Sequence, residues 1–320
     1  MTSVDDTLTQ DDYDEFSLLN ENAAEWDLPF DGSVPVSREY LEVGPGQELS
    51  FIRWGVGEPE VVFLHGGGQN AHTWDSVALA LGRPAVAVDL PGHGRSYRRP
   101  DRNYGPWNNV VALEAALPEI APAATAVVGM SLGGATTIHL AAKRPDLCPH
   151  AVIVDVTPQV NDPSRAMSTM ERGSVALIGG APTYATFEEM AEAAVALSPF
   201  RAASGVRRGV RHNAYRRLDG LWTWRYDLFG EPIPADAAPA ENWSDFTPLW
   251  DDVAAIAVPA MLVRGGESKF VLDEDEAEML ERLPGLRVES VAGAGHAVQS
   301  DRPLVLVGLV EDFAFANLQG

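Results

Sequence analysis

Residues 125–140 read Thr125-Ala126-Val127-Val128-Gly129-Met130-Ser131-Leu132-Gly133-Gly134-Ala135-Thr136-Thr137-Ile138-His139-Leu140, and the reading of this stretch decides the fold. A short β-branched run ends on a glycine-flanked serine, and an Ala/Thr-rich helical run follows at once. A serine on so sharp a strand-to-helix turn is held in a strained, exposed conformation. Glycines are needed around it because neighbouring backbone comes too close for a Cβ. The turn also sets the Leu132 N–H at a helix N-terminus, where it can stabilise a developing oxyanion. In a chain with 29 glycines a G-x-S-x-G match can arise by chance. The strand–turn–helix context sets this one apart.

Upstream, His65-Gly66-Gly67-Gly68 follows the apolar run Val61-Val62-Phe63-Leu64. A glycine run there lets the backbone pass under the serine and offer a second N–H, that of Gly67, to the same oxyanion. The plainer alternative is a glycine-rich loop with no ligand. His65 precedes the loop and reads as a structural hydrogen-bonding residue. Downstream, Gly293-Ala294-Gly295-His296 follows the last predicted strand. A base on such a loop can reach over Ser131, take its proton and return it to a leaving group. His139 lies on the helix after the serine, and His72, His93, His150 and His212 lack this placement.

From residue 36 onward, short apolar runs alternate with longer Ala-rich stretches, the pattern of a mostly parallel sheet covered by helices. Strands are predicted at 36–43, 49–54, 60–64, 85–89, 124–130, 150–156, 258–264 and 287–292. Helices are predicted near 73–81, 106–117, 132–143, 274–283 and 302–316. The alternation stops between 159 and 245 and then resumes. That segment reads as a helical cap inserted into a core of residues 31–158 and 246–320. Its apolar anchors are Met167, Met170, Ile178, Phe187, Met190, Leu197, Trp222, Trp224 and Tyr226. Most of these read as the cap's own core, although a Met- and Trp-rich wall also suits an apolar acyl group.

The net charge of −23 argues against general affinity for nucleic acid or an anionic membrane. The single Cys148 rules out an intramolecular disulfide and a cysteine-based zinc site. Residues 1–30 carry nine acids and no Lys or Arg, which reads as a mobile acidic tail and not a secretory signal, with docking of part of it through Phe16, Leu18, Leu19 and Trp26 as the alternative. No apolar run is long enough to span a bilayer. A cytoplasmic protein acting on a small molecule is expected, with no view on oligomeric state.

His65-Gly66-Gly67-Gly68, Asp89-Leu90-Pro91-Gly92-His93-Gly94-Arg95-Ser96, Gly129–Gly134 and Gly293–His296, in that order, resemble the α/β-hydrolase superfamily over about residues 36–158 and 246–317. The resemblance implies an α/β fold with a mostly parallel eight-stranded sheet, helices on both faces and a serine hydrolase's machinery. The Asp89 stretch is a structural turn in such proteins. Relatives that open epoxides or remove halides place an aspartate at the turn where this chain has Ser131, so the resemblance excludes those reactions.

The third member of a Ser-His-acid triad departs from the commonest pattern. The turn that usually supplies it reads Arg264-Gly265-Gly266-Glu267-Ser268, with serine at the expected aspartate position. Asp155, ending the strand one after the serine's, resembles the acid of relatives with this R-G-x-x-S turn. Asp155 is therefore favoured over Glu267, with Ser268 bonding nearby. The plain alternative for Asp155 is a residue capping the following loop. The implied reaction is hydrolysis of a carboxylic ester, thioester or lactone through an acyl-enzyme. Carbon–carbon bond hydrolysis of a diketone-like compound, or ligand binding without catalysis, are the alternatives. No cofactor is expected, and no metal, because no His/Asp/Glu spacing resembles a metal site. Arg201, Arg207, Arg208, Arg211, Arg216 and Arg217 have no acid among them until Asp219. They read as a solvated basic face, with recognition of an anionic substrate as the sharper alternative.

Overall fold

The computed structural model describes residues 13–160, 181–198, 201–227 and 245–316. Its sheet has eight strands: β1 (Val36–Gly44), β2 (Gln47–Trp54), β3 (Val61–Leu64), β4 (Ala85–Val88), β5 (Ala126–Met130), β6 (Ala151–Val154), β10 (Ala260–Gly265) and β11 (Arg287–Val291). They lie in the order β1-β2-β4-β3-β5-β6-β10-β11. The β1–β2 and β2–β4 pairs are antiparallel, and every other pair is parallel. This is the α/β-hydrolase architecture expected from the motifs.

Every residue of β3, β4, β5 and β6 is buried, which is why these strands read as continuous apolar runs and not as alternations. Successive side chains still point to opposite faces. Val62, Val127 and Ile153 meet α3 (Pro106–Ile120), α4 (Leu132–Lys143) and α7 (Leu249–Ala255) through Leu113, Ile138 and Leu249. Phe63, Val128 and Val152 face the other way, toward α2 (Asp75–Leu81) and α10 (Pro303–Ala314) through Val77, Leu306 and Val310. Among the described residues no helix is long and apolar enough to cross a membrane.

The structure favours the docked alternative for residues 13–30 of the acidic leader over the free tail. Helix α1 (Leu19–Glu25) places Leu19 in the sheet's second core layer, only 3% exposed. Glu15 meets Arg38 at 2.7 Å and His72 at 3.0 Å, so ion pairing from residues distant in sequence fixes the segment. The stretch expected to be a helical cap also contains a small antiparallel sheet. Its strands β7 (Thr183–Tyr184), β8 (Ala214–Arg216) and β9 (Trp222–Trp224) lie in the order β7-β9-β8 beside α5 (Phe187–Ala196) and α6 (Ala203–Asn213).

Met190, Val206, Val210 and Trp224 form that segment's own core, and Tyr226 stacks on His93 with ring centroids 4.3 Å apart. Met167, Met170 and Ile178 lie outside the described residues. The arginines are not a bare solvated face either. Arg201 pairs with Asp301, Arg207 with Glu188, Arg208 with Glu25 and Arg217 with Asp219. Arg211 lies over the rings of Tyr13, Phe187 and Trp222, and Arg216 donates to the Gly220 carbonyl.

Candidate active site

The motif residues gather at the C-terminal ends of β3, β5, β6, β10 and β11, where open α/β sheets hold their ligands. Ser131 sits between β5 and α4 with φ 52° and ψ −115°, a left-handed conformation that costs a non-glycine residue on the order of 1–3 kcal/mol. The surrounding packing enforces it. A Cβ on Gly133 would lie 2.1 Å from the Leu64 carbonyl oxygen, and one on Gly129 2.2 Å from the Gly133 carbonyl oxygen. Helix α4 can therefore start directly against the ends of β3 and β5. The Ser131 N–H extends the sheet ladder by donating to the Val154 carbonyl at 3.0 Å.

Asp155 continues β6 by one residue, its N–H donating to the Val263 carbonyl at 2.8 Å, and it too has a positive φ, 52°. Four described non-glycine residues share that property, and two of them, Ser131 and Asp155, belong to this site. The Asp155 carboxylate is fully buried with three donors around it. Oδ2 lies 2.7 Å from His296 Nδ1 and accepts from Ser268 Oγ at 2.5 Å. Oδ1 accepts the Gly265 N–H at 2.8 Å. A buried carboxylate held this way needs no further partner.

With Nδ1 engaged by the carboxylate, His296 presents Nε2, which is buried and has no hydrogen-bond partner. Phe270 stacks on the imidazole with centroids 3.8 Å apart and planes 25° from parallel. Glu267 is exposed, and only its backbone joins the site, the N–H donating to the Ala294 carbonyl at 2.9 Å. The fold therefore brings Asp155 to His296 and leaves the Glu267 side chain outside. Phe270 was not singled out in the sequence, since an aromatic beyond the turn carries no motif of its own.

In the loop after β3 the Gly66 N–H donates to Gln69 Oε1 at 3.1 Å. Gly67 follows, partly exposed, and a Cβ there would meet nothing within 4 Å. His65 is structural. Its Nδ1 lies 2.8 Å from the Gly66 carbonyl, its Nε2 accepts the Leu90 N–H at 2.9 Å, and burial pushes its pKa down so that it stays neutral. Asp89 is likewise structural, paired with Arg38 at 2.7 Å and accepting the Ala71 and Arg95 N–H groups. His139 pairs with Asp252, His150 bonds the Thr125 carbonyl, and His93 bonds the Pro91 carbonyl.

One cluster lies outside this site. Ligand atoms of His72, Asp75 and His212 fall within 4.8 Å of one another, although no metal-ligating set was evident from sequence spacing.

Comparison with known proteins agrees with the fold. A family model described as the alpha/beta hydrolase family matches residues 61–309. The chain is 46% identical over 307 residues to esterase Rv0045c of Mycobacterium tuberculosis, covering 96% of this chain and 97% of that one. A solved structure from work on transition metal inhibition of that M. tuberculosis esterase covers 94% of this chain and 98% of its own, with TM-score 0.78 and 46% identity. The sn-1-specific diacylglycerol lipase ABHD11 of Mus musculus is 26% identical over 260 residues, 80% of each chain.

Proposed function

Because the chain belongs to the alpha/beta hydrolase family and is an esterase-type enzyme within it, we propose that Ser131, His296 and Asp155 form its catalytic triad and hydrolyse a small carboxylic ester, thioester or lactone. The observation that carries this reading is the polarity of His296: Nδ1 is bound to a buried carboxylate while Nε2 is left with no partner. An imidazole so arranged is ready to accept a proton.

His296 Nε2 removes the Ser131 hydroxyl proton as the oxygen attacks the ester carbonyl. The tetrahedral oxyanion is held by the N–H groups of Leu132, the first residue of α4, and Gly67. The first-turn N–H groups of a helix have no partner within it. The Gly66 N–H is already used by Gln69, which supports Gly67 as the second donor. His296 then gives its proton to the departing alcohol, thiol or enol. Water deacylates Ser131 by the same route in reverse, releasing the acid. Asp155 keeps the proton of neutral His296 on Nδ1 and stabilises the imidazolium while it lasts.

The test is labelling with a fluorophosphonate together with turnover of short p-nitrophenyl esters. The wild-type protein is expected to label and turn over, and Ser131→Ala to do neither. A wild-type protein that folds but neither labels nor hydrolyses any short ester would identify a ligand-binding member of the fold instead.

A further inference from the structure

We propose that His72, Asp75 and His212 form a binding site for a divalent transition ion such as Zn²⁺, Ni²⁺ or Co²⁺, separate from the triad. His72 sits on the 3₁₀ turn Ala71–Trp74, Asp75 opens α2 directly after it, and His212 lies in the last turn of α6. All three are buried.

Two imidazoles and one carboxylate are a donor set suited to these ions. The spacing is near what one ion needs. Ligand atoms of a tetrahedral zinc site stand roughly 3.3 Å apart, given Zn–N and Zn–O bonds of about 2.0–2.2 Å. Here His72 Nδ1 lies 3.0 Å and His212 Nε2 3.8 Å from Asp75 Oδ2.

Two of the atoms involved are left without partners. His212 Nε2 and Asp75 Oδ1 are buried side-chain atoms with no hydrogen bond. Buried polar groups seldom stay unsatisfied, and each one invites a ligand as its explanation. The atoms on the far side of each ring are, by contrast, fully engaged. His72 Nε2 meets Glu15 Oε2 at 3.0 Å, and His212 Nδ1 bonds the Tyr13 hydroxyl. Metal-bound histidines almost always have their second nitrogen oriented by an oxygen in this way. Asn22 donates to Asp75 Oδ2 at 3.3 Å and steadies the carboxylate.

A small cavity lined by Tyr13, Glu15, Arg38, His72, His212 and Arg225 adjoins the cluster. Of the nearby cations, Arg38 pairs with Asp89 and Glu15, Arg95 with Glu15 and Arg208 with Glu25, while Arg225 lies over the Tyr215 ring. Both ring nitrogens of His72 face carboxylate oxygens, Nδ1 toward Asp75 and Nε2 toward Glu15. A metal that binds between Nδ1 and Asp75 displaces whatever proton the two share. The His72 and His212 rings stack 3.9 Å apart and 14° from parallel, so their lone pairs run side by side. One ring turns about its Cβ–Cγ bond as the ion enters. Because α6 belongs to the 159–245 insertion and His72 and Asp75 to the core, a bound ion cross-links the two.

The experiment titrates the full chain with CoCl₂ and ZnCl₂ in a His296→Ala background, so that the triad histidine offers no ligand. One equivalent of Co²⁺ is expected to bind, with the visible absorption of nitrogen-ligated cobalt, and Zn²⁺ to raise Tm and displace it. His212→Gln and Asp75→Asn, checked for folding by circular dichroism, should each weaken binding at least about 100-fold. Tyr13→Phe, which leaves all three ligands in place, should weaken it about tenfold. The site is refuted if the protein takes up no Co²⁺ at millimolar concentration. It is equally refuted if a folded His212→Gln protein, or Asp75→Asn and Tyr13→Phe together, bind as the parent does.

Discussion

Asp155 Oδ2 lies 2.7 Å from His296 Nδ1 across 141 residues of sequence, and the exposed Glu267 takes no part in that contact. Replacing Asp155 with asparagine leaves the shape intact but presents an amide, which favours the tautomer with Nε2 protonated. We expect kcat for p-nitrophenyl ester hydrolysis to fall by about 10⁴-fold in Asp155→Asn. Glu267→Gln should stay within about twofold of wild type. The opposite ranking would assign the acid to Glu267.

Ser268 donates to the same carboxylate oxygen at 2.5 Å, and it occupies the turn position where relatives commonly carry the acid itself. Hydrogen bonds to charged groups contribute about 1.5–3 kcal/mol. Ser268→Ala is expected to lower kcat about tenfold to a hundredfold with KM nearly constant. A large rise in KM with unchanged kcat would mean that Ser268 contacts substrate and does not steady Asp155.

Gly133 lies against the end of β3, where an added methyl would overlap the Leu64 carbonyl oxygen. Gly133→Ala should destabilise the protein by about 3 kcal/mol or more, read as a large drop in Tm or loss of soluble protein. Gly67→Ala, where a Cβ meets only open space, should keep Tm within a degree or two. A Gly133→Ala protein as stable as the wild type would show that α4 does not press on the sheet.

Acid should loosen the leader. Burial alone would raise the carboxyl pKa values of Glu15 and Asp89, but it is outweighed, for Glu15 by His72 and Arg38 and for Asp89 by Arg38, His65 and the Ala71 and Arg95 N–H groups, so that each is held at about 2. Both folded-state values lie below the ordinary 4.5 and 3.8. Their contribution, on the order of 2 kcal/mol each, is therefore complete above about pH 5 and lost as pH falls toward 2. Tm measured from pH 6 to 2.5 should decline through this window. Glu15→Gln should start from a lower Tm and decline less steeply; an unchanged slope would remove Glu15 from the account.

Much of the fold was legible because the deciding residues act locally. The runs of β3, β5 and β6 are apolar throughout, Ser131 is hemmed in by its own glycines, and serine at position 268 left Asp155 as the better acid. What escaped notice depends on distant partners. Nothing near Glu15 announces Arg38 or His72, so an acidic leader read as a tail. Strands of two or three residues, such as Thr183–Tyr184 and Trp222–Trp224, are too short to show a period of two. His72 and Asp75 become suggestive only when α6 delivers His212 to them, and the arginines of α6 looked solvent-facing until their acids and rings came into view.

Ser131 and Asp155 are both spliced into the sheet ladder, through the Val154 and Val263 carbonyls, while His296 rides on the Gly293–His296 segment beyond β11. On the proposed triad, two members thus inherit the rigidity of neighbouring central strands. The third is held through side-chain and loop contacts, to Asp155, to the Phe270 ring and through the Gly295 N–H to Asp301. Loss of those loop contacts would then silence catalysis while the sheet is still folded.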